Sequence, residues 1–456
     1  MRRGRTPVWR SLAVVFALVL VSAGFVTWAF LAGPAVQAFL IRAVMVSLVL
    51  FLVLLFTRYF VLIWFAYLGH AERNVLGGVR GPELPPVSIL VPAYNEAKVL
   101  DRALESLAAL DYPVFEVVVI DDGSTDDTLE VATRWEGRLG DGDFRVVTQE
   151  NGGKAAALNA GLQAARYPFL LCMDADSTLD PHTLMLAVPH MRDSSVGAVA
   201  GNVKVRNRTG LLPRLQALEY IEGLNLPRRA QGFVAAVNIV PGPVGLFRRE
   251  ALEEVGLYDT DTFAEDADLT LKLITSGWKV VYEDRAVAWT DAPDRWVDLA
   301  QQRYRWTRGI LQTLRKRRAV FLRPFPDFPL WMSALQLFFE AILWPVLNLY
   351  IHLFFALVAL LFGGGELIVY WLVLLTLLDL GAALLTVSME EEELRLVPLA
   401  FLYRFVFVLF LDVVKAFATA EELLRLDMGW GKLERAPDGT RPLPPRLHTT
   451  PASEPV

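Results

Sequence analysis

Apolar residues fall along this chain in blocks rather than evenly. Ser11–Gly33 carries no charge and is long enough to span about 30 Å of hydrocarbon as a helix. Phe39–Leu68 is a second long apolar run, interrupted by Arg42 and Arg58. Ala341–Gly365 is a third, and Leu367–Ser388 a fourth, broken only by Asp379. A fifth, Leu396–Ala420, contains Arg404, Asp412 and Lys415. Between the second and third runs the composition is that of an ordinary globular domain. The pattern predicts two N-terminal transmembrane helices over 1–70 and a globular domain over 71–328. It then predicts a C-terminal membrane region over 329–425 and a cytoplasmic tail over 426–456, rich in Pro, Thr and Ser.

The fifth run is read by its polar positions. On a helix, Arg404, Asp412, Lys415, Thr419 and Glu422 share one narrow stripe. Such a stripe suits a helix lying in the membrane interface. A spanning helix that turns the stripe towards a protein-lined pore is the alternative. The interfacial reading, with four spans, is the expectation here. Arg2, Arg3 and Arg5 place the N-terminus in the cytoplasm by the positive-inside rule, and the cluster Arg315–Arg318 does the same for the globular domain. The apolar core of the first run is longer than that of a cleaved secretory signal. Trp344, Asn348, Tyr350 and His352, with Arg58 and Asp379, would either line a pore or hydrogen-bond helix to helix.

In the globular stretch, short apolar runs alternate with helical patterns. Val87–Val91, Phe115–Ile120, Arg145–Thr148 and Phe169–Met173 read as strands. Ala97–Leu110, Asp126–Arg134, Lys154–Ala165 and Pro181–Met191 read as helices. This alternation predicts an α/β domain with a mostly parallel sheet and helices on both faces. Ligands of such sheets bind beyond the carboxyl ends of the strands.

Composition sharpens the picture. The 456 residues are 54% hydrophobic, above what a soluble domain requires. A net charge of −6 argues against a nucleic-acid partner. The single cysteine, Cys172, excludes an intrachain disulfide framework.

The polar motifs fall where the strands end. Pro92-Ala93-Tyr94-Asn95-Glu96 follows the first strand, and Asp121-Asp122-Gly123-Ser124-Thr125 the second. Asp-Gly-Ser-Thr is common turn and N-cap chemistry, but two carboxylates closing an apolar strand also suit hydrogen bonds from a base or ribose. Asn151-Gly152-Gly153-Lys154 opens a helix, where backbone amides and an ammonium favour an anion such as a diphosphate. Its spacing is not that of a Walker loop. Asp174-Ala175-Asp176 ends a buried strand and offers hard oxygen ligands for a divalent cation. Glu265-Asp266 opens another helical pattern. Gln302, Arg305 and Trp306 lie at i, i+3 and i+4, on one helical face, offering a phosphate clamp and a flat ring for a sugar.

The ordered set DDGST, NGGK, DAD, AED and QRYRW, with membrane runs on both sides, resembles the family 2 inverting glycosyltransferases of the GT-A fold. Within them it is most similar to the membrane-embedded processive synthases of poly-β-1,6-N-acetylglucosamine, chitin oligosaccharides, hyaluronan and cellulose. The resemblance implies a UDP-sugar donor, bound by Pro92, Tyr94, Glu96, Asp122, Lys154, Asp174 and Arg305. It implies Mg²⁺ or Mn²⁺ on Asp174 and Asp176, and catalysis by Asp266 with Glu265 beside it. Gln302 and Trp306 would hold the acceptor, a growing glycan or a lipid. Pro241–Arg249 would form a small-residue loop beside that acceptor, and Gly429-Trp430-Gly431-Lys432 a gating segment. Ala264 stands where the family's TED motif has Thr, and the gating match is partial. The implied function is β-linked polysaccharide synthesis at the cell membrane with a cytoplasmic catalytic domain. Transfer of a single sugar to a lipid is the second reading, and a catalytically dead nucleotide-sugar-binding scaffold the third.

Overall fold

The computed structural model describes residue 28 and residues 33–76, 84–139, 142–322, 328–362 and 365–426. The first apolar run, apart from Trp28 and Gly33, and the Gly429–Lys432 segment lie outside the described residues.

The core of the globular domain is a sheet of nine strands: β1 (Val87–Ala93), β2 (Phe115–Asp121), β3 (Gly137–Leu139), β4 (Gly142–Thr148), β5 (Phe169–Cys172), β6 (Thr178–Leu179), β7 (Val196–Val205), β8 (Gly245–Arg248) and β9 (Lys279–Thr290). Their order is β3-β4-β2-β1-β5-β8-β7-β9-β6. β4, β2, β1 and β5 are parallel, as the alternating pattern predicts. Beyond them the sheet is mixed. β8 runs antiparallel to both β5 and β7, β7 and β9 are parallel again, and β6 and β3 close the edges antiparallel. The mixed half was not visible in the sequence. β8 is only four residues long and follows the Pro-Gly-Pro loop rather than a clear apolar run.

Alternation within the strands builds two cores. Val87, Ile89 and Val91 of β1 point to one face with Leu100, Leu104 and Leu107 of the Leu100–Ala108 helix. Leu90 points to the other with Leu158 and Leu162 of the Lys154–Ala164 helix. β1 lies between β2 and β5, so strand order reverses there and opens a crevice at the carboxyl ends. Register aligns those ends: Ala93 pairs with Asp121, Asp121 with Thr148, and Leu90 with Cys172. Four motifs far apart in sequence therefore leave the sheet side by side.

Four described helical stretches are long and apolar enough to cross a membrane: Pro34–Gly69, Leu330–Ala356, Ile368–Met389 and Leu394–Leu423. Several of their charged and amide side chains are paired within the protein. Arg404 forms an ion pair with Asp379, Asn348 Nδ2 donates to Asp412 Oδ2 at 2.6 Å, and Arg58 Nη2 lies 2.8 Å from Glu340.

This pairing extends to the polar stripe of Leu396–Ala420. Arg404, Asp412, Thr419 and Glu422 are all buried, between 1% and 7% exposed. Arg404 meets Asp379, Asp412 meets Asn348 and Glu422 meets Arg308, while Thr419 donates to the Lys415 carbonyl of its own helix and Lys415 is half-buried. Leu394–Leu423 has the length and composition of a span, and its C-terminal half also packs on the globular domain through the contacts of Trp296 with Phe410 and of Arg308 with Glu422. For Arg58, Asn348 and Asp379, helix-to-helix bonding is the arrangement observed, while Tyr350 points outward.

Candidate active site

The first two loops lock each other. Asn95 has a left-handed backbone (φ 53°); its amide donates to Ser124 Oγ at 3.0 Å, and its Oδ1 accepts from the Thr125 amide at 2.8 Å. The Glu96 amide donates to Thr128 Oγ1 at 2.8 Å. Pro92 reaches the central cleft, while Tyr94 and Glu96 are half-buried on this cross-tied rim.

Asp122 ties the second loop to the third. Its Oδ1 accepts from Gln149 Nε2 at 2.6 Å and from the Gly152 amide at 2.9 Å; its Oδ2 accepts from the Gly153 amide at 2.8 Å. Two of the glycine-loop amides expected to bind a ligand's phosphate are thus taken by the protein's own carboxylate. Such an anion suits the positive end of the Lys154–Ala164 helix. Gly123 sits at φ 70°, and a side chain there would strike the Asn151 backbone nitrogen at 2.8 Å. Asp122 consequently fixes the loop that aims Lys154.

Lys154 Nζ lies 2.6 Å from Asp174 Oδ1 and 3.0 Å from Glu265 Oε1. One cation thereby joins the glycine loop, the end of β5 and the start of the Glu265–Thr275 helix. Burial opposes the ammonium charge, but Asp174, Glu265 and Asp266 outweigh it and hold the lysine well above its ordinary range. Asp174 is pushed upward by burial, then drawn down by Lys154 and pushed up again by Asp176. Asp266 is pushed up to about 6, by burial first and the neighbouring Glu265 charge second, with Lys154 opposing.

The cleft is lined by Pro92, Lys154, Asp174, Glu265 and Asp266, all expected from sequence. Gly242 closes one side. A Cβ there would lie 2.6 Å from Lys154 Nζ and 3.0 Å from Asp174 Oδ2, so a side chain would have to push the lysine end aside. The floor is apolar, with Cys172, Phe247 and Tyr258; Tyr258 donates to Cys172 Sγ at 3.4 Å. Burial pushes the Cys172 thiol up to about 11, consistent with a packing role. Asp176 is half-buried, accepts from Ser177 Oγ at 3.1 Å and acts electrostatically on Asp174.

Two carboxylates at one strand end, with more negative charge than Lys154 balances, make a donor set that fits a hard divalent cation. A second acidic group, Asp259, Asp261 and Asp268, fits less well. Lys316 Nζ already sits 2.6 Å from Asp259 and 3.0 Å from Asp268, and Arg317 Nε lies 2.7 Å from Asp268.

Gln302, Arg305 and Trp306 stand on the Trp296–Lys316 helix. Gln302 and Arg305 are half-buried and Trp306 is 37% exposed. This helix meets the start of the Glu265–Thr275 helix at Gly309, where a Cβ would lie 2.7 Å from Ala264. Sequence reasoning passed over Arg303. It is 2% exposed and bound through Nε and Nη2 to both carboxylate oxygens of Glu219, at 2.9 and 2.6 Å. Its one signal was adjacency to Gln302; its partner lies in a helix 84 residues away.

The comparisons agree with this architecture. Residues 85–309 match the family model described as glycosyltransferase like family 2. The chain is 33% identical over 240 residues to a poly-beta-1,6-N-acetyl-D-glucosamine synthase of Staphylococcus epidermidis, covering 52% of this chain and 58% of that protein. It is 35% identical over 229 residues to the synthase of that name from Staphylococcus aureus, covering 50% and 55%. The matched region thus spans little more than half the length of these curated relatives. In fold, it is similar to a mannosyltransferase from Pyrobaculum calidifontis solved with GDP-Man and Mn²⁺. That likeness has a TM-score of 0.56 and 24% identity, over 82% of this chain and 98% of that one. The sheet, the cleft and the sequence match converge on one assignment: residues 85–309 form a family 2 glycosyltransferase domain of the GT-A type, flanked by helices apolar enough to cross a membrane.

Proposed function

We propose that this chain is a multi-pass cell-membrane enzyme with its catalytic domain in the cytoplasm. It transfers N-acetylglucosamine from UDP-N-acetylglucosamine, with inversion, to a growing β-linked polysaccharide. The observation that carries the reading is the convergence of Lys154, Asp174, Glu265 and Asp266 on one cleft in a domain of this family. The synthase names of the relatives support the sugar and the polymer. Export of the chain through the membrane region belongs to the same reading, and UDP-glucose is the second donor to test.

Asp266 is the general base. Its raised pKa leaves it ionised near neutrality yet basic enough to take the acceptor hydroxyl proton. The deprotonated oxygen attacks the anomeric carbon from the face opposite the nucleotide. One displacement turns an α-linked donor into a β-linked product, with no carboxylate nucleophile. Lys154 and Arg305 face the charge that develops on the leaving diphosphate. Asp174 and Asp176 would hold Mg²⁺ or Mn²⁺, which supplies Lewis-acid neutralisation of that diphosphate. Gln302 and Trp306 orient the acceptor sugar. Glu265 holds Lys154 in place beside the base.

A panel of UDP-sugars supplied with Mg²⁺ or Mn²⁺ to membranes containing the protein, followed by product sizing and linkage analysis, tests this. The expected product is a β-linked N-acetylglucosamine polymer. A single-sugar glycolipid would instead establish the lipid-acceptor reading.

A further inference from the structure

Arg303 touches two of the residues assigned to the acceptor. Its guanidinium carbon lies 4.0 Å from the centre of the Trp306 ring, within cation–π range. Its Nη1 donates to Gln302 Oε1. The guanidinium is itself immobilised, because Glu219 accepts from Nε and Nη2 at 2.9 and 2.6 Å in a buried bidentate pair.

Two consequences follow. Arginine has donors only, so the Gln302 amide must turn its oxygen towards Arg303. Its NH₂ is thereby left as the group that meets a ligand oxygen. The guanidinium also covers one face of Trp306, while the ring stays 37% exposed and keeps a surface free for a sugar.

We propose that Arg303, locked by Glu219, is the positioning residue of the acceptor half-site. It sets the hydrogen-bonding sense of Gln302 and backs the ring of Trp306, so that the site selects an acceptor presenting an oxygen to Gln302 and a flat sugar face to Trp306. The inference rests on the proposed function above.

Arg303→Lys keeps the charge but loses the flat, forked geometry. Glu219→Gln keeps the shape but loses the charged clamp. Each is compared with wild type in two reactions of the membrane-embedded enzyme: transfer to a short β-1,6-linked N-acetylglucosamine oligosaccharide, and acceptor-independent release of UDP from UDP-N-acetylglucosamine. The expected result is an acceptor KM raised about tenfold, the scale of one lost cation–π or charged hydrogen bond, with donor KM and UDP release unchanged. Parallel loss of transfer and UDP release would mark the pair as purely structural and overturn the proposal. So would an unchanged acceptor KM, or the failure of both variants to fold. Absence of both transfer and UDP release by wild-type protein would instead overturn the underlying reading of the function.

Discussion

Lys154 Nζ lies 2.6 Å from Asp174 Oδ1 and bridges on to Glu265 at 3.0 Å, beside Asp266. This single ammonium joins the Asp174 side of the cleft to the Glu265–Asp266 side. Lys154→Met is therefore expected to raise the donor KM and to push Asp266 further up, since Lys154 draws that carboxyl down. The acid limb of the kcat/KM profile moves to higher pH. A pH–rate series on wild type and variant checks both effects.

The wild-type profile has its own expectation. Asp266 must be ionised to act as base, and its folded value of about 6 lies above the ordinary 3.8. Activity should rise with pH through about 6 and fall away below it. The same shift has a stability sign. A carboxyl whose pKa is raised by folding costs stability once it ionises, so the cost grows from about pH 4 to 6 and persists above. Thermal melts of Asp266→Asn near pH 7.5 should show a Tm no lower than wild type.

Gly242→Ala tests the closeness of the Pro-Gly-Pro loop. The new methyl would meet Lys154 Nζ at 2.6 Å and Asp174 Oδ2 at 3.0 Å, so the lysine must shift. The expected outcome is a raised donor KM, milder than in Lys154→Met, with little change in stability, because the displaced group is the end of a flexible side chain. Donor titration of the kinetics reads it directly.

Asp122→Ala leaves Gln149 Nε2 and the Gly152 and Gly153 amides without their acceptor. Loss of this buried carboxylate should cost roughly 1–3 kcal/mol of stability and loosen the loop that aims Lys154. Both a lower Tm and a higher donor KM are expected. Unchanged donor binding would place the role of Asp122 elsewhere.

The parallel half of the sheet was legible because β1, β2 and β5 are mostly apolar runs, broken only by Ser88 and Glu116, that end in polar motifs. Register then brought those motifs together, as the alternation implied. β8 and the mixed half were not legible, since a four-residue strand after a proline loop has no period to read. Arg404, Asp412 and Glu422 show a second limit. Periodicity found their common face but not whether water or protein covers it, because Asp379, Asn348 and Arg308 lie in other segments. Arg303 shows a third. Its partner Glu219 is set by tertiary packing, so only the fold reveals that a residue inside the QRYRW segment orders its neighbours.

The central claim is that Asp266, in this cleft, is the base of a polymer-forming glycosyl transfer. Its most direct test is the initial rate of polymer synthesis from UDP-N-acetylglucosamine by Asp266→Asn in membranes, beside wild type at matched expression and Tm. The expected result is a loss of roughly 10²–10⁴-fold in a folded protein that still binds donor. Near-wild-type synthesis by that variant would contradict it.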